Sequence, residues 1–389
     1  MNLSSSFKSE IIYQILIDRF AGVDYSKDWK QPQFLGGNIK GIIKKLPYLL
    51  DLGISCIWIS PFYKTSAYHG YHITDFEQVD PHFGTKKELK DLIDATHENN
   101  MKIIADFVPN HCSYLHPFFH DAQRNPQSKF RDWFYFTKWP SSYLSFLSFP
   151  ELPKLNLANA ATSQYIIKVA KDWLAMGFDG YRLDHVIGPS HVFWKHFVKE
   201  VKKEFSHCIL LGEAWMAGIK KKELNTIKMN HKWWHWLQGG SSDALLKSYI
   251  HILDGVLDFQ TQQLLRHGLC SSNQQDIQVT KNTINHHLNK YPDSYLLAQF
   301  LDNHDMDRFL YQCHQNQTVL KHAVDLIFSV DQPVIIYYGS EKAMTQQQSI
   351  GTITQHGDIL ARQPMQWEYT NAAILNIYIN AINKKKYQY

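Results

Sequence analysis

Short apolar runs alternate with amphipathic stretches along most of this 389-residue chain. Ile11–Ile17, Ile54–Ser60, Lys102–Val108, Phe178–Asp184, Cys208–Glu213, Gly255–Phe259, Tyr295–Asp302 and Pro333–Tyr338 each have the length and composition of a buried strand. Between most of them, stretches such as Leu46–Leu52, Lys86–Asn99, Ser163–Met176 and His191–Phe205 repeat their apolar positions with the period of a helix. Strands alternating with helices predict an α/β fold with a parallel sheet, and eight strands are the number that closes a (β/α)8 TIM barrel. A doubly wound sheet needs a glycine-rich turn after its first strand, and Ile17 is followed instead by Asp18-Arg19-Phe20.

One interval breaks the alternation. From Pro109 to Leu157 no helix is evident, and aromatic residues crowd together: Phe118, Phe119, Trp133, Phe134, Tyr135, Phe136, Trp139 and Tyr143. A loop of that size in a compact domain is usually functional or a small subdomain. The expected organisation is a barrel built from residues 1–108 and 158–389, with residues 109–157 inserted after the third strand on the C-terminal face. The apolar-periodic segment Ala372–Ile382 is expected to be the last barrel helix.

Composition narrows the partners. Hydrophobic residues make up 44% and charged residues 20%, which excludes a disordered chain or a coiled coil. The net charge of +4, spread along the chain, argues for neither a nucleic-acid nor a membrane partner, and Lys384–Lys386 reads as a solvated helix end. No stretch approaches the ~18 apolar residues of a membrane helix. The polar start, Met1–Glu10, has no apolar signal core, so a cytoplasmic location is expected. Cys56, Cys112, Cys208, Cys270 and Cys313 are scattered and read as reduced thiols. With 11 Trp, 21 Tyr and 22 Phe, the chain has aromatic side chains for a core and a surplus suited to stacking on flat ligands.

The candidate chemistry lies at strand ends, where barrel enzymes carry their catalytic groups. Asp106 ends IIADF, Asp184 lies in GFDGYRLDH, Glu213 in LLGEAW, and Asp302 and Asp305 in FLDNHDMDR. Carboxylates converging on one mouth cost stability unless they are paired or used. Arg182 precedes Asp184 by two residues, which on a strand puts both on one face. A guanidinium there keeps Asp184 ionised, as a nucleophile requires; a buried structural ion pair is the alternative.

These residues belong to a longer series: IIYQILIDRF, FLGGNIKGIIKKLPYLLDLGISCIWISPF, YHGYHITDFEQVDPHFGTKKELKDLI, DFVPNH, LPKLN, GFDGYRLDH, LGEAW, FLDNHD, PVIIYYGSE and RQPMQW. In this order and spacing the chain resembles, nearly end to end, the α-amylase superfamily, glycoside hydrolase family 13. The resemblance implies a retaining α-glucan hydrolase with Asp184 as nucleophile, Glu213 as general acid/base and Asp305 as the third carboxylate. It implies that Arg182 supports the nucleophile and that Asp106 organises both from below. It gives His111 and His304 to the reacting sugar and makes Tyr71 the platform beneath it, with His69 alongside. Retaining hydrolysis uses two carboxyl groups ~5–5.5 Å apart, one attacking and one donating and then recovering a proton. Glu213, near a second negative charge and beside Trp215, is expected to start protonated, and Trp215 is counted with the substrate-binding set. Asp305 is expected to stabilise a cationic, oxocarbenium-like transition state.

The departures sharpen the expectation. Leu152-Pro153-Lys154-Leu155-Asn156, preceded by YLSFLSFPE, is most similar to the corresponding stretch of neopullulanases and cyclomaltodextrinases. An N-terminal module used for dimerisation in those relatives is not expected before Ile11, and a β-sandwich is not expected after the last helix; a monomer is slightly favoured. His185, directly after the nucleophile, either contacts an acceptor sugar or fills space. Ile187 and Gly188 stand where α-amylases often have Lys-His. That weakens a calcium site to which Asn110 is a weak candidate ligand, and the loop with Asp24 and Asp28 is incomplete as a metal site. No cofactor is expected to be required, and the expected partner is an oligo- or polysaccharide. Transglycosylation on the same substrates, and a non-catalytic glycan-binding scaffold on the same fold, are the alternatives.

Overall fold

The computed structural model describes residues 6–216, 243–270, 276–353 and 356–387. Eight strands are β1 (Ile11–Ile15), β2 (Cys56–Ile59), β3 (Lys102–Phe107), β4 (Gly180–Leu183), β5 (Ile209–Gly212), β6 (Gly255–Leu257), β7 (Leu296–Phe300) and β8 (Val334–Tyr337). They close into a barrel in chain order, with β8 beside β1. Neighbours pair in parallel, as in Ile12 opposite Cys56, Asp106 opposite Arg182 and Ile11 opposite Val334. The expected (β/α)8 barrel is therefore the fold. Parallel strands buried on both faces read as continuous apolar runs, which is why each was legible. Among the described residues, no helix is long and apolar enough to cross a membrane.

The chain forms two compact units, one of residues 1–59, 95–103 and 257–389, the other of 60–94 and 104–256. In the second unit, the helices Ala160–Leu174 and His191–Glu204 start at capping side chains. Asn159 accepts from the Thr162 N–H and Ser190 from that of Phe193, each satisfying a donor the helix itself leaves open. Phe193, Trp194, Phe197 and Val201 form the buried stripe of His191–Glu204, each contributing ~1.5–3 kcal/mol of burial. Tyr181 points outward from β4, donating to the Ala170 carbonyl at 2.7 Å and packing its ring 4.9 Å from Phe107. By the two-residue alternation of a strand, Arg182 then points inward.

Within residues 109–157 the structure differs from the expectation of no helix, because Pro117–Arg124 is helical. Its signals are unusual: proline opens it and the His116 ring, rather than a hydroxyl or carboxylate, accepts the Phe118 N–H at 3.2 Å. A short antiparallel pair, Phe136–Lys138 with Ser142–Tyr143, follows. Most of the crowded aromatics pack on one another: Phe118 stacks 4.1 Å from Phe130, and Phe119 meets Phe134 at 4.9 Å and Tyr143 at 4.8 Å. They supply a local core that so short a segment otherwise lacks.

In the first unit, the helix Ile39–Leu52 extends well upstream of its predicted start and runs through Pro47. Tyr13 and Tyr48 both donate to buried Glu341, at 3.0 and 2.7 Å. Lys384–Lys386 is the end of the helix Ala372–Lys386, with Lys384 and Lys386 exposed as expected, but the reading of a solvated end fails at Lys385. Lys385 is buried and its Nζ donates to the Val330 carbonyl at 3.0 Å. Burial draws its ammonium down to about 8.

Candidate active site

The register of β3 and β4 sets the centre of the second unit. With Asp106 opposite Arg182 in adjacent strands, the two side chains meet on the inner face. Arg182 Nη1 donates to Asp106 Oδ1 at 2.8 Å and to Asp184 Oδ1 at 2.7 Å, and Nη2 stands 2.5 Å from Glu213 Oε1. All four residues are buried, Asp106 and Arg182 completely. Burial alone would lower the Arg182 pKa, but the charges of Asp106, Glu213, Tyr71 and Asp184 outweigh it and hold the guanidinium well above its ordinary value. The second negative charge expected near Glu213 is thus accompanied by a cation in contact with it, which strand spacing alone did not reveal.

The ladder continues past the strand ends and fixes the two carboxylates. The Asp184 N–H donates to the Phe107 carbonyl, the Glu213 N–H to Leu183 and the Val186 N–H to the Glu213 carbonyl. Between them lies His185, with φ at +44°, a left-handed conformation uncommon outside glycine. Its N–H donates to Glu213 Oε2 at 2.9 Å, and its ring meets Phe146 edge-on at 4.7 Å. The ring is buried and, through burial first and then Lys154, His111 and Arg182, held well below the usual histidine range. Trp215 follows Glu213 and is only partly buried.

Tyr71 reaches the same network from the loop between two short antiparallel strands, Tyr63–Thr65 and Ile73–Val79. Its hydroxyl donates to Asp106 Oδ2 at 2.7 Å, and its N–H to His69 Nδ1 at 3.2 Å. Both rings stay partly exposed, 5.7 Å apart. His111 is buried with its ring 4.8 Å from Phe146, and its Nε2 makes no hydrogen bond among the described residues. Burial, then the charges of His72 and Lys154, draw it down to about 3, so it is a neutral ring with a nitrogen to offer. Asn110 Oδ1 accepts from Lys154 Nζ at 2.5 Å, and the same ammonium donates to the Gly188 carbonyl at 3.0 Å.

Asp305 and His304 belong to the first unit, beyond the end of β7. Gln14 Nε2 lies 2.7 Å from His304 Nδ1; with the amide donating, Nδ1 is the acceptor and the ring proton sits on Nε2. His304 Nε2 then faces Asp305 Oδ2 at 3.0 Å, so both ring nitrogens already have protein partners. Arg362 holds the other side, with Nη2 2.8 Å from Asp305 Oδ1 and Nε 2.8 Å from the His304 carbonyl. Asp302 turns elsewhere: it accepts from the Phe309 N–H and the Ser340 hydroxyl, and burial raises its carboxyl.

Arg362, Gln14 and Lys154 lie within recognisable motifs, yet their residue types and positions alone suggest no role. Each acts through a partner remote in the chain. Among the described residues, no group of three His, Cys, Asp or Glu side chains is arranged to hold a metal ion. Asn110 spends its oxygen on an ammonium. Asp24 closes its own turn on Ser26, and Asp28 does so on Lys30. Asn110, with its oxygen on an ammonium, does not fit a calcium ion, which asks for ~6–8 oxygen ligands.

Residues 14–381 match the family described as Alpha amylase, catalytic domain. The chain is 36% identical over 367 residues to Alpha-amylase 2 of Dictyoglomus thermophilum, covering 92% of this chain and 59% of that protein. It is 30% identical over 381 residues to Neopullulanase 2 of Thermoactinomyces vulgaris, covering 93% and 59%. Among solved structures, the alpha-amylase from Geobacillus thermoleovorans complexed with acarbose matches at a TM-score of 0.78 and 30% identity, over 98% of this chain and 79% of that one. The chain spans about three fifths of the length of these curated relatives.

Proposed function

This chain belongs to the alpha-amylase catalytic-domain family, and on that premise we propose that it hydrolyses α-1,4-glucosidic bonds of maltooligosaccharides with retention of configuration. The observation that carries the reading is the single guanidinium of Arg182, touching Asp184 on one nitrogen and Glu213 on the other. Carboxylates held on neighbouring nitrogens of one planar group favour the ~5–5.5 Å separation of a retaining pair over the ~6.5–9.5 Å of an inverting one. Carboxylates that share one guanidinium are coupled, and ionising one raises the cost of ionising the next, which favours one of them holding a proton. Glu213 is the residue proposed to carry it.

In this mechanism Asp184 attacks the anomeric carbon and forms a glycosyl ester. The leaving oxygen departs with the proton of Glu213. A water then gives a proton back to Glu213 as its oxygen attacks the same carbon, and the ester bond to Asp184 breaks. Arg182 and Asp106 keep Asp184 oriented. Tyr71 and His69 offer ring faces to the sugar, and His111 Nε2 offers a hydrogen bond. Asp305, fixed by Arg362 and His304, is proposed to stabilise the positive charge of the transition state.

The test is turnover of maltotriose with the anomer of the first product read by NMR. The expected result is the α-anomer, with Glu213→Gln at least a thousandfold slower while still binding substrate. A β-anomer, or a Glu213→Gln variant near the wild-type rate, overturns the reading. Run at high maltotriose, the same experiment reports transfer as oligosaccharides longer than the substrate.

A further inference from the structure

Lys154 lies in the segment 109–157 and is almost completely buried. Its backbone is held by the bridge to His111 and by its N–H on the Leu144 carbonyl. The ammonium joins two loops. One contact is Asn110 Oδ1, in the loop after β3; the other is the Gly188 carbonyl, in the loop after β4 that follows Asp184. The loops come this close only because residue 188 is glycine: a Cβ there would stand 2.1 Å from Asn110 Oδ1.

The Gly188 contact matters because of what precedes it. The Gly188 N–H donates to the His185 carbonyl at 2.9 Å, closing a turn whose first residue is the left-handed His185. The His185 N–H is in turn the donor to Glu213 Oε2. A non-glycine residue persists at positive φ only where its surroundings over-determine it. Here the surroundings are Glu213 at one end of the turn and Lys154 at the other.

We propose that Lys154 is a built-in cation that occupies the place of a metal ion at Asn110 and pins the turn presenting the His185 N–H to Glu213. It is a positioning residue, acting through Gly188 and His185. An ammonium donates to a carbonyl and an amide oxygen, the same ligand types a hard metal ion uses, and it needs no exchange with solvent. A divalent ion placed beside it meets a like charge and finds the Asn110 oxygen taken. The effect on turnover rests on the reading of Glu213 as the acid/base; the exclusion of metal does not.

The experiment compares the wild-type chain with Lys154→Met and Lys154→Asp, each treated with EDTA and then with millimolar Ca2+, by thermal unfolding and by kcat and KM on maltotriose. The wild type is expected to keep its Tm and kcat in both conditions. Lys154→Met should lose about 10- to 100-fold in kcat with KM within threefold, as expected when a catalytic group shifts without loss of the binding surface. Lys154→Asp offers a carboxylate beside Asn110 Oδ1 and the Gly188 carbonyl, so Ca2+ should raise its Tm and restore part of its kcat. A wild-type Tm that falls in EDTA and returns with Ca2+ overturns the proposal, as does Lys154→Met at the wild-type kcat or a Lys154→Asp Tm indifferent to Ca2+. If the wild type hydrolyses no glucan, the assignment of function fails while the two Tm comparisons still decide for or against the internal cation.

Discussion

Arg182→Lys isolates the geometry of the guanidinium from its charge. The arginine holds Asp106 at 2.8 Å and Asp184 at 2.7 Å from one nitrogen and approaches Glu213 at 2.5 Å from another. Lysine keeps the positive charge but is a single point on a shorter, flexible stem, so it can replace one of these contacts rather than all of them. Hydrogen bonds to charged groups contribute ~1.5–3 kcal/mol each, so losing two gives ~3–6 kcal/mol to be divided between stability and turnover. If half of that falls on the transition state, kcat/KM drops by roughly 10- to 100-fold or more, since each ~1.4 kcal/mol is a factor of ten. The remainder should appear as a lower free energy of unfolding.

The assay is kcat/KM on maltotriose alongside denaturant unfolding of the same preparation. Because both carboxylates of the proposed chemistry hang on the same group, the loss should be mainly in kcat, with KM little changed. An Arg182→Lys enzyme within threefold of the wild-type kcat/KM and equally stable would refute the reasoning. It would mean that charge alone, and not the fork, organises Asp184 and Glu213.

Two further predictions concern the scaffold. Gly70 has φ at +89° and a Cβ there would lie 2.1 Å from the Pro61 carbonyl oxygen. Gly70→Ala should therefore cost ~1–2 kcal/mol in backbone conformation plus the clash, and disturb the Tyr71–Asp106 bond; a variant with unchanged Tm and kcat/KM would contradict this. Asp18 is fully buried, and burial raises its carboxyl to about 6 despite Arg19 and the N–H groups of Leu35 and Gly36. A folded pKa above the unfolded ~3.9 means that proton binding stabilises the fold below about pH 4, and that this contribution is lost as pH rises through 6. The stability of the wild type relative to Asp18→Asn should thus fall by ~2 kcal/mol between pH 4 and pH 7, measured by urea unfolding. A gap that stays constant with pH would show that Asp18 is ionised throughout.

The barrel was readable because its strands are buried on both faces and appear as uninterrupted apolar runs. What lay between them was harder. The helix Ile39–Leu52 begins at Ile39, but Gly41 and Pro47 conceal its start, since proline inside a helix normally breaks it. The helix Pro117–Arg124 was hidden by a histidine cap. The candidate site was legible where a residue type and a strand end coincide, as at Asp184, Glu213 and Asp106. It was not legible where the role depends on a remote partner. Nothing in RQPMQW states that Arg362 holds Asp305, and nothing in LPKLN states that Lys154 bridges Asn110 to Gly188.

The distribution of buried cations separates the carboxylates by role. Asp305 meets Arg362 on one oxygen and His304 Nε2 on the other, and Arg362 also pairs with Asp358. Asp106, Asp184 and Glu213 share the guanidinium of Arg182. Carboxylates that share one cation titrate as a set, so ionising one raises the cost of ionising the next. A retaining hydrolase needs one carboxyl group ionised and another protonated at the same pH, and environments that push the two apart are how that is arranged. The positive charge that does lie close by, Lys154, is spent on an amide and a carbonyl oxygen, where it orders the turn after Asp184 while Arg182 remains the cation in contact with Asp184 and Glu213.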